Sequence, residues 1–185
     1  LLFKQRDRHK IKKILSIRPY ASRKYANDLT VKAILELSKT NQFKEMEFML
    51  VGAGKLFDTT LEPLRGFANV HIHEGFLTHS EIAELHKDFG IFMTPTRMDS
   101  QGVSRDEAMS SGLVPITNSV TAIPEFVDHS SGILADGEDY KSMAKGVLEL
   151  FDNEQRFLEM SKSAASRVRN QSSTELIISV FAPLT

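Results

Sequence analysis

Short apolar runs alternate with segments of helical periodicity along almost the whole chain. Several runs are apolar throughout and do not alternate with polar residues, which is typical of parallel strands covered on both faces. Six strands are predicted on this basis, at residues 13–17, 47–51, 70–73, 91–94, 113–117 and 132–134.

Between these runs, apolar residues recur at the spacing of one helix face. Three such faces are predicted, formed by Thr30, Ala33, Ile34 and Leu37, by Ile82, Leu85, His86 and Phe89, and by Ala144, Val147, Leu148 and Phe151. Thr78 followed by Glu81 predicts a capping box that begins the second of these helices. The residues after Asp152 predict one or two amphipathic helices.

The repeated strand–helix units indicate one α/β domain with a doubly wound, mostly parallel, Rossmann-like sheet of about six strands. No linker rich in Gly, Pro or Ser divides the chain, and 185 residues suit one well-packed domain, so a single domain over 1–185 is predicted. Ligands of such sheets bind beyond the carboxyl ends of the strands, where loops 18–24, 52–55, 75–78 and 97–104 are expected to gather.

Composition and charge narrow the class of partner. The chain carries 23 basic and 24 acidic residues, a balance that gives no broad field for nucleic acid or an anionic membrane. It has no cysteine, which excludes disulfides and thiolate metal sites and fits a reducing cytoplasm. The charged segment that follows Leu1 is neither a signal peptide nor a natural start, so we expect a piece of a larger protein.

The residues best suited to bind a ligand follow the fourth predicted strand. Asp99 and Glu107 stand eight positions apart, with Gly102 between them and a predicted helix start at Ser104. A glycine turn at a helix N-terminus aims backbone N–H groups at an anion and lets a diphosphate approach closely. The acidic side chains would accept hydroxyls, as a sugar nucleotide requires. The alternative is a tight turn in which Ser104 and Glu107 form a capping box.

A second candidate is the loop after the first strand, which carries Arg18, Arg23 and Lys24. Cations at this strand end could hold a diphosphate and offset the charge that grows on it as it departs. The alternative is solvated surface charge. Arg18 fits that alternative least, because it follows the apolar strand directly.

Two further loops carry weaker signals. Val51-Gly-Ala-Gly54 resembles part of a dinucleotide fingerprint, but Phe57 stands at the third glycine position, and a tight strand-to-helix turn is favoured. Phe76 and Leu77 follow the third strand and could form a wall against a base, with a plain turn as the alternative. Histidines 71 and 73 are predicted to face solvent, and His86 is predicted to pack in the core.

Taken together, these motifs resemble the C-terminal, donor-binding domain of retaining glycosyltransferases with the GT-B fold, in family 4 (glycosyltransferase group 1). The likeness covers roughly residues 12–170. The main signature is Asp99 followed at fixed spacing by Glu107-Ala-Met109 and Ser-Ser-Gly112. Supporting motifs are Arg18 with Lys24, Val51-Gly-Ala-Gly54, Gly75-Phe-Leu77, Ile123-Pro-Glu-Phe-Val127 and Gly132-Ile-Leu134.

The resemblance implies a role for each matching position. Arg18 and Lys24 would bind the donor diphosphate and stabilise it as leaving group, and Asp99 would contact the donor sugar; these three are the implied catalytic residues. The other implied donor-binding positions are Gly54 in the second loop, Phe76 and Leu77 beside the base, the backbone of Ser100, Gln101 and Gly102 near the sugar, Val103 and Ser104 at the phosphates, and Glu107 at the ribose hydroxyls.

The implied reaction moves a glycosyl group from a nucleoside diphosphate sugar to an acceptor hydroxyl with retained configuration, in cell-surface glycan biosynthesis such as that of a polysaccharide, lipopolysaccharide or glycoprotein. No metal or other cofactor is expected. The implied partners are the sugar nucleotide and an N-terminal acceptor-binding domain of the same protein, which this chain lacks. We therefore expect this chain to transfer sugar poorly by itself. The implied location is cytoplasmic, or the inner face of the membrane for the full-length protein.

The chain also departs from the family pattern, and other functions remain open. Asp99 stands where many members have Glu, and Ser100-Gln101 replaces a frequent Gly-Phe, which leaves the donor sugar open. Alternatives are a non-catalytic nucleotide-sugar-binding module and a sugar-nucleotide epimerase of related fold, although no convincing set of acidic and histidine bases is present. A receiver-like module would need an acidic cluster where Arg18 stands.

Overall fold

The computed structural model describes residues 8–98 and 102–171 and contains one parallel sheet in this part of the chain. Its six strands lie in the order β3-β2-β1-β4-β5-β6, and every neighbouring pair is parallel. They are β1 (Lys13–Ile17), β2 (Glu47–Gly52), β3 (Val70–Glu74), β4 (Ile91–Met93), β5 (Val114–Ser119) and β6 (Ile133–Asp136). All six predicted strands and the doubly wound fold class are confirmed, with strand ends shifted by one or two residues.

Helices cover both faces of this sheet. Within the described residues they are α1 (Asn27–Leu37), α2 (Phe57–Leu61), α3 (His79–Asp88), α4 (Val103–Ser110), α5 (Ile123–Phe126), α6 (Tyr140–Phe151) and α7 (Glu154–Gln171). Helix α1 packs on α6, and α4 packs on α7. Ile14 and Leu15 are adjacent on β1 and belong to different apolar clusters, because successive side chains of a strand point to opposite faces.

The predicted face of α1 is buried by the fold, and the residues of the other two predicted faces are buried or half-buried. Thr30, Ala33, Ile34 and Leu37 are all buried on α1. The capping box of α3 is confirmed: the Thr78 hydroxyl accepts from the Glu81 N–H at 3.3 Å, and the Glu81 carboxylate accepts from the Thr78 N–H at 2.7 Å. That second hydrogen bond lowers the pKa of Glu81.

The order of the strands fixes where a ligand can bind. Strand β1 lies between β2 and β4. From β1, the sheet is extended on one side by β2 and β3 and on the other side by β4, β5 and β6. Loops that leave β1 and β4 diverge there and open a crevice at the carboxyl edge, which is the usual ligand position in such sheets. No helix in the described part of the chain combines the length and apolarity needed to cross a bilayer.

Candidate functional site

A cavity of about 760 Å³ opens at the carboxyl edge of the sheet, beside the point where the strand order reverses. Loops that follow β1, β2, β3 and β4 all contribute to its lining. The residues named in advance that line it are Arg18, Lys24, Phe76, Leu77, Gly102, Val103, Ser104 and Glu107. A volume of this size lies within the range of small-molecule sites in proteins. The first loop and the start of α4 therefore face one shared space.

Arg18 lies at the end of β1 and is held there by its own backbone. Its N–H donates to the Val51 carbonyl at 3.0 Å, and its guanidinium donates to the Pro95 carbonyl at 3.5 Å. Only 6% of the residue is exposed, so the alternative of solvated surface charge is wrong for Arg18. A buried cation that reaches a cavity is suited to an anionic ligand, which can enter and replace the lost water.

Lys24 is exposed and lies in a short 3₁₀ turn, Arg23–Tyr25, that the Ser22 hydroxyl caps by accepting from the Lys24 N–H at 3.3 Å. Its ammonium lies 5.0 Å from the centre of the Tyr25 ring, and the Arg18 guanidinium carbon lies 5.3 Å from the same centre. One aromatic ring thus attracts both cations through its quadrupole. In the described part of the chain, the Lys24 ammonium has no ion-pair partner, which leaves its charge available.

The N-terminus of α4 faces the same cavity. The helix begins at Val103, one residue before the predicted start, and Gly102 is its N-cap. Among the described residues no side chain caps this helix, so the alternative of a Ser104–Glu107 capping box is wrong. The reason is geometric: Ser104 already lies inside the first turn, where its hydroxyl is past the N-cap position. The positive end of the helix dipole is therefore directed to the cavity.

Gly102 has a structural reason to be glycine besides close approach of a ligand. Its φ of +40° lies in the left-handed region, and a Cβ there would stand 2.8 Å from the guanidinium carbon of Arg105. Arg105 is 1% exposed, donates to the Asp106 carboxylate at 2.8 and 3.0 Å, and lies 4.9 Å from the Phe126 ring centre. This buried arginine beneath the turn was not predicted.

Glu107 lines the cavity one turn into α4. Within the described residues its carboxylate makes no hydrogen bond or ion pair, so its oxygens are available to accept hydroxyls. Asp99, Ser100 and Gln101, which were predicted at the donor sugar, lie outside the described residues. Their roles stay predictions.

Gly52 at the end of β2 and Gly54 after it explain how the first two loops pack together. A Cβ on Gly52 would stand 1.9 Å from the Arg18 carbonyl oxygen, and one on Gly54 would stand 2.5 Å from the Tyr20 carbonyl carbon. Gly54 is not among the residues that line the cavity. The structure therefore gives Gly54 a packing role against the first loop, and its predicted donor contact stays untested.

Three of the residues that line the cavity are large apolar side chains exposed to solvent. Phe76 is 86% exposed, and Met98 and Val103 are also large apolar side chains exposed to solvent. Solvent-exposed patches of large apolar side chains are characteristic of binding surfaces. An apolar ligand group that covered Phe76 would remove this side chain from water.

Tyr25, His79 and Met98 are among the lining residues that were not predicted as site residues. Each lies inside or next to a loop that was expected at the carboxyl edge, so position was the available signal. Histidines 71 and 73 are exposed and His86 is buried, as predicted. No group of three or more metal-ligating side chains comes together in residues 8–98 and 102–171.

Comparison with known proteins places these features in a family. The family model described as "Glycosyl transferases group 1" matches residues 12–153. The chain is also 28% identical to N-acetyl-alpha-D-glucosaminyl L-malate synthase of Bacillus anthracis over 141 residues, which are 74% of this chain and 36% of that protein.

Solved structures share the fold. An S. aureus TarM mutant in complex with Fondaparinux, alpha-GlcNAc-glycerol and UDP superimposes with a TM-score of 0.81 at 20% identity, over 97% of this chain and 36% of TarM. The C-terminal domain of LpcC, a glycosyl transferase group 1 family protein from Francisella tularensis, gives 0.75 at 16% identity, over 91% of this chain and 94% of that domain. The chain thus spans about a third of the length of TarM and of the malate synthase.

Proposed function

Because this chain belongs to the glycosyl transferases group 1 family, we propose that it is the donor-binding domain of a retaining glycosyltransferase. The complete enzyme moves a glycosyl group from a nucleoside diphosphate sugar to an acceptor hydroxyl. The observation that carries the proposal is the common cavity of Arg18, Lys24 and the N-terminus of α4. Two cations and a helix dipole there favour a ligand with about two negative charges, such as a diphosphate.

The cavity suggests an orientation for the donor. The diphosphate lies between the first loop and the first turn of α4, the base lies against Phe76 and Leu77, and the ribose hydroxyls donate to Glu107. In this arrangement the cations and the helix N-terminus contact phosphate, the apolar side chains contact the base, and the carboxylate accepts hydroxyls. The glycosyl group then extends from the diphosphate toward the acceptor.

The same residues account for the rate of transfer. As the bond between the anomeric carbon and the phosphate oxygen breaks, negative charge accumulates on the departing diphosphate. Arg18, Lys24 and the α4 amides attract this charge more strongly in the transition state than in the ground state, which is the condition for acceleration. The acceptor oxygen bonds to the anomeric carbon, and the net reaction releases the nucleoside diphosphate and one proton.

Calorimetric titration with UDP, the nucleotide present in the TarM complex, tests donor binding, with GDP and ADP as comparisons. We expect saturable binding of at least one diphosphate. Lys24→Met should weaken it about tenfold, since a charged hydrogen bond to phosphate is lost. Lys55→Met is the matched control, because Lys55 is exposed on a neighbouring loop and does not line the cavity. A folded protein that binds none of the three would refute the proposal.

Transfer itself is proposed to require a second, acceptor-binding domain. The basis is that this chain spans about a third of the length of TarM and of the malate synthase. We expect this chain alone to show far lower turnover than a full-length enzyme that contains it. Comparable turnover of the two would contradict this expectation.

We also propose that the reaction needs no metal ion and serves cell-surface glycan synthesis from the cytoplasmic side. We expect no metal requirement because two cations and a helix N-terminus in the cavity already offset the negative charge of the leaving group. UDP affinity should therefore be unchanged when EDTA replaces Mg²⁺ in the titration. A strong dependence of affinity on Mg²⁺ would show that the side chains do not neutralise the diphosphate themselves.

A further inference from the structure

We infer that Arg97 and Asp28 form a positioning pair that holds Lys24 in place beside the cavity. The inference rests on the proposed function, in which Lys24 contacts the diphosphate. Arg97 does not line the cavity. It would therefore act on the ligand through Lys24 and not by touching it.

Arg97 and its neighbour hold the turn that carries Lys24 by its backbone. The Arg97 N–H donates to the Lys24 carbonyl at 2.8 Å, and the Thr96 hydroxyl donates to the same carbonyl at 3.2 Å. The Arg97 guanidinium donates to the Arg23 carbonyl at 2.9 Å. Two consecutive carbonyls of this exposed turn are thus fixed by the segment that follows β4.

Arg97 is in turn held by carboxylates from two other elements. Its guanidinium binds Asp28 in a bidentate manner, with N–O distances of 2.7 and 2.9 Å, and its Nε donates to the Glu138 carboxylate. The hydrogen bond from Arg97 lowers the pKa of Asp28, and the bonds to Asp28 and Glu138 raise the pKa of Arg97. Both groups are therefore charged at neutral pH, and a bidentate arginine has a fixed orientation.

A buried side chain of the sheet fixes the backbone next to Arg97. Asn118 on β5 is fully buried and holds the Thr96 backbone at both groups: its amide oxygen accepts from the Thr96 N–H at 2.9 Å, and its amide nitrogen donates to the Thr96 carbonyl at 2.7 Å. A contiguous set of hydrogen bonds thus runs from the sheet to Lys24. Since Lys24 itself is exposed and flexible, a fixed backbone lowers the entropy lost when its ammonium binds phosphate.

Variants of the pair separate positioning from long-range charge. Arg97→Met removes a positive charge and Asp28→Ala removes a negative one, so simple electrostatics predicts opposite effects on UDP affinity. Positioning predicts that both variants weaken UDP binding, each by about fivefold. Arg97→Lys keeps the charge but loses the bidentate fork, so it should also weaken binding. Arg156→Met, which breaks an exposed ion pair with Glu149, is the matched control.

The readout is the ratio of the dissociation constants of uridine and UDP, which isolates the diphosphate contribution, with thermal unfolding measured for each variant. We expect the ratio to fall in Arg97→Met, Arg97→Lys and Asp28→Ala, and to stay at the wild-type value in Arg156→Met. In a Lys24→Met background, Arg97→Met should cause no further loss, because it acts through Lys24.

Three results would overturn the inference while UDP binding by the wild type upholds the proposed function. They are an unchanged ratio in folded Arg97→Met and Arg97→Lys, tighter UDP binding by Asp28→Ala, and additive losses in the double variant. Absence of UDP binding by the folded wild type would instead refute the proposed function itself.

Discussion

At the residue scale, the two cations of the cavity share one neighbour. Tyr25 lies 5.3 Å from the Arg18 guanidinium carbon and 5.0 Å from the Lys24 ammonium. Like charges repel, so two cations side by side are stable only where a ligand or a neighbouring group offsets the repulsion. The face of the Tyr25 ring offers such an offset and also restricts both side chains.

Substitution of Tyr25 tests this role. Tyr25→Leu removes the ring, and each lost cation–π contact at an exposed site is worth about 0.5–1 kcal/mol. UDP binding should weaken by a factor of about two to five for each lost contact, by conversion of that energy. Tyr25→Phe retains the ring and should bind as the wild type does in the same titration. Equal weakening by both variants would show that the hydroxyl, and not the ring, matters.

Glu107 offers a second prediction at this scale. If its carboxylate accepts the ribose hydroxyls, Glu107→Ala should weaken UDP binding about tenfold, because two charge-assisted hydrogen bonds are lost. Inorganic pyrophosphate has no ribose, so its affinity should not fall. Titration of the variant with both ligands makes the comparison internal. Equal losses for UDP and pyrophosphate would contradict the assignment.

Sequence predicts some of these residues better than others, for physical reasons. Arg18 was identified because a residue that directly follows an apolar strand must lie at the sheet edge. Arg97 was missed, since its contacts with Asp28 and Glu138 join positions far apart in the sequence. The same holds for Arg105 beneath Gly102. Pairings of long side chains across loops leave no local pattern.

At the element scale, β1, β2 and β4 were predictable because they are short, mostly apolar runs that are largely buried, whereas β3 exposes three of its five residues. The start of α4 was predicted at Ser104, one residue late, and the alternative of a capping box formed by Ser104 and Glu107 does not occur. Glycine with φ of +40° takes the cap position instead. A sequence pattern does not reveal this backbone angle, so the local signal pointed to the wrong residue.

The close contact between Gly52 and the backbone of Arg18 gives a prediction for stability. A methyl group on Gly52 would collide with the Arg18 carbonyl oxygen at 1.9 Å, so the backbone must shift. Gly52→Ala should reduce the free energy of unfolding by about 1–3 kcal/mol, measured by urea denaturation. Gly66→Ala is the matched control, because nothing lies within 4 Å of the added methyl. Similar losses in both variants would contradict the close contact.

At the scale of the whole molecule, the Arg97 network ties three separate parts together. Asp28 belongs to α1, Glu138 lies between β6 and α6, and Arg97 follows β4. These contacts join the three segments at the carboxyl edge of the sheet. The order of the strands, predicted as a doubly wound sheet, is what brings these three segments to one edge.

The network predicts how stability depends on acid. Hydrogen bonds from Arg97 lower the pKa of Asp28 in the folded state. The pair therefore stabilises the fold fully above the unfolded pKa of about 3.9, and this contribution is lost as pH falls through the lower folded pKa. Thermal midpoints measured between about pH 5 and 2 should fall less steeply for Asp28→Asn than for the wild type. Parallel curves would contradict the coupling.

The central claim is that the first loop and the N-terminus of α4 bind one diphosphate together. A crystal structure of the protein with UDP tests it most directly. We expect phosphate oxygens within hydrogen-bond distance of Arg18 or Lys24 on one side and of the first α4 amides on the other. A UDP molecule bound elsewhere, or one whose phosphates contact only one of these two elements, would contradict it.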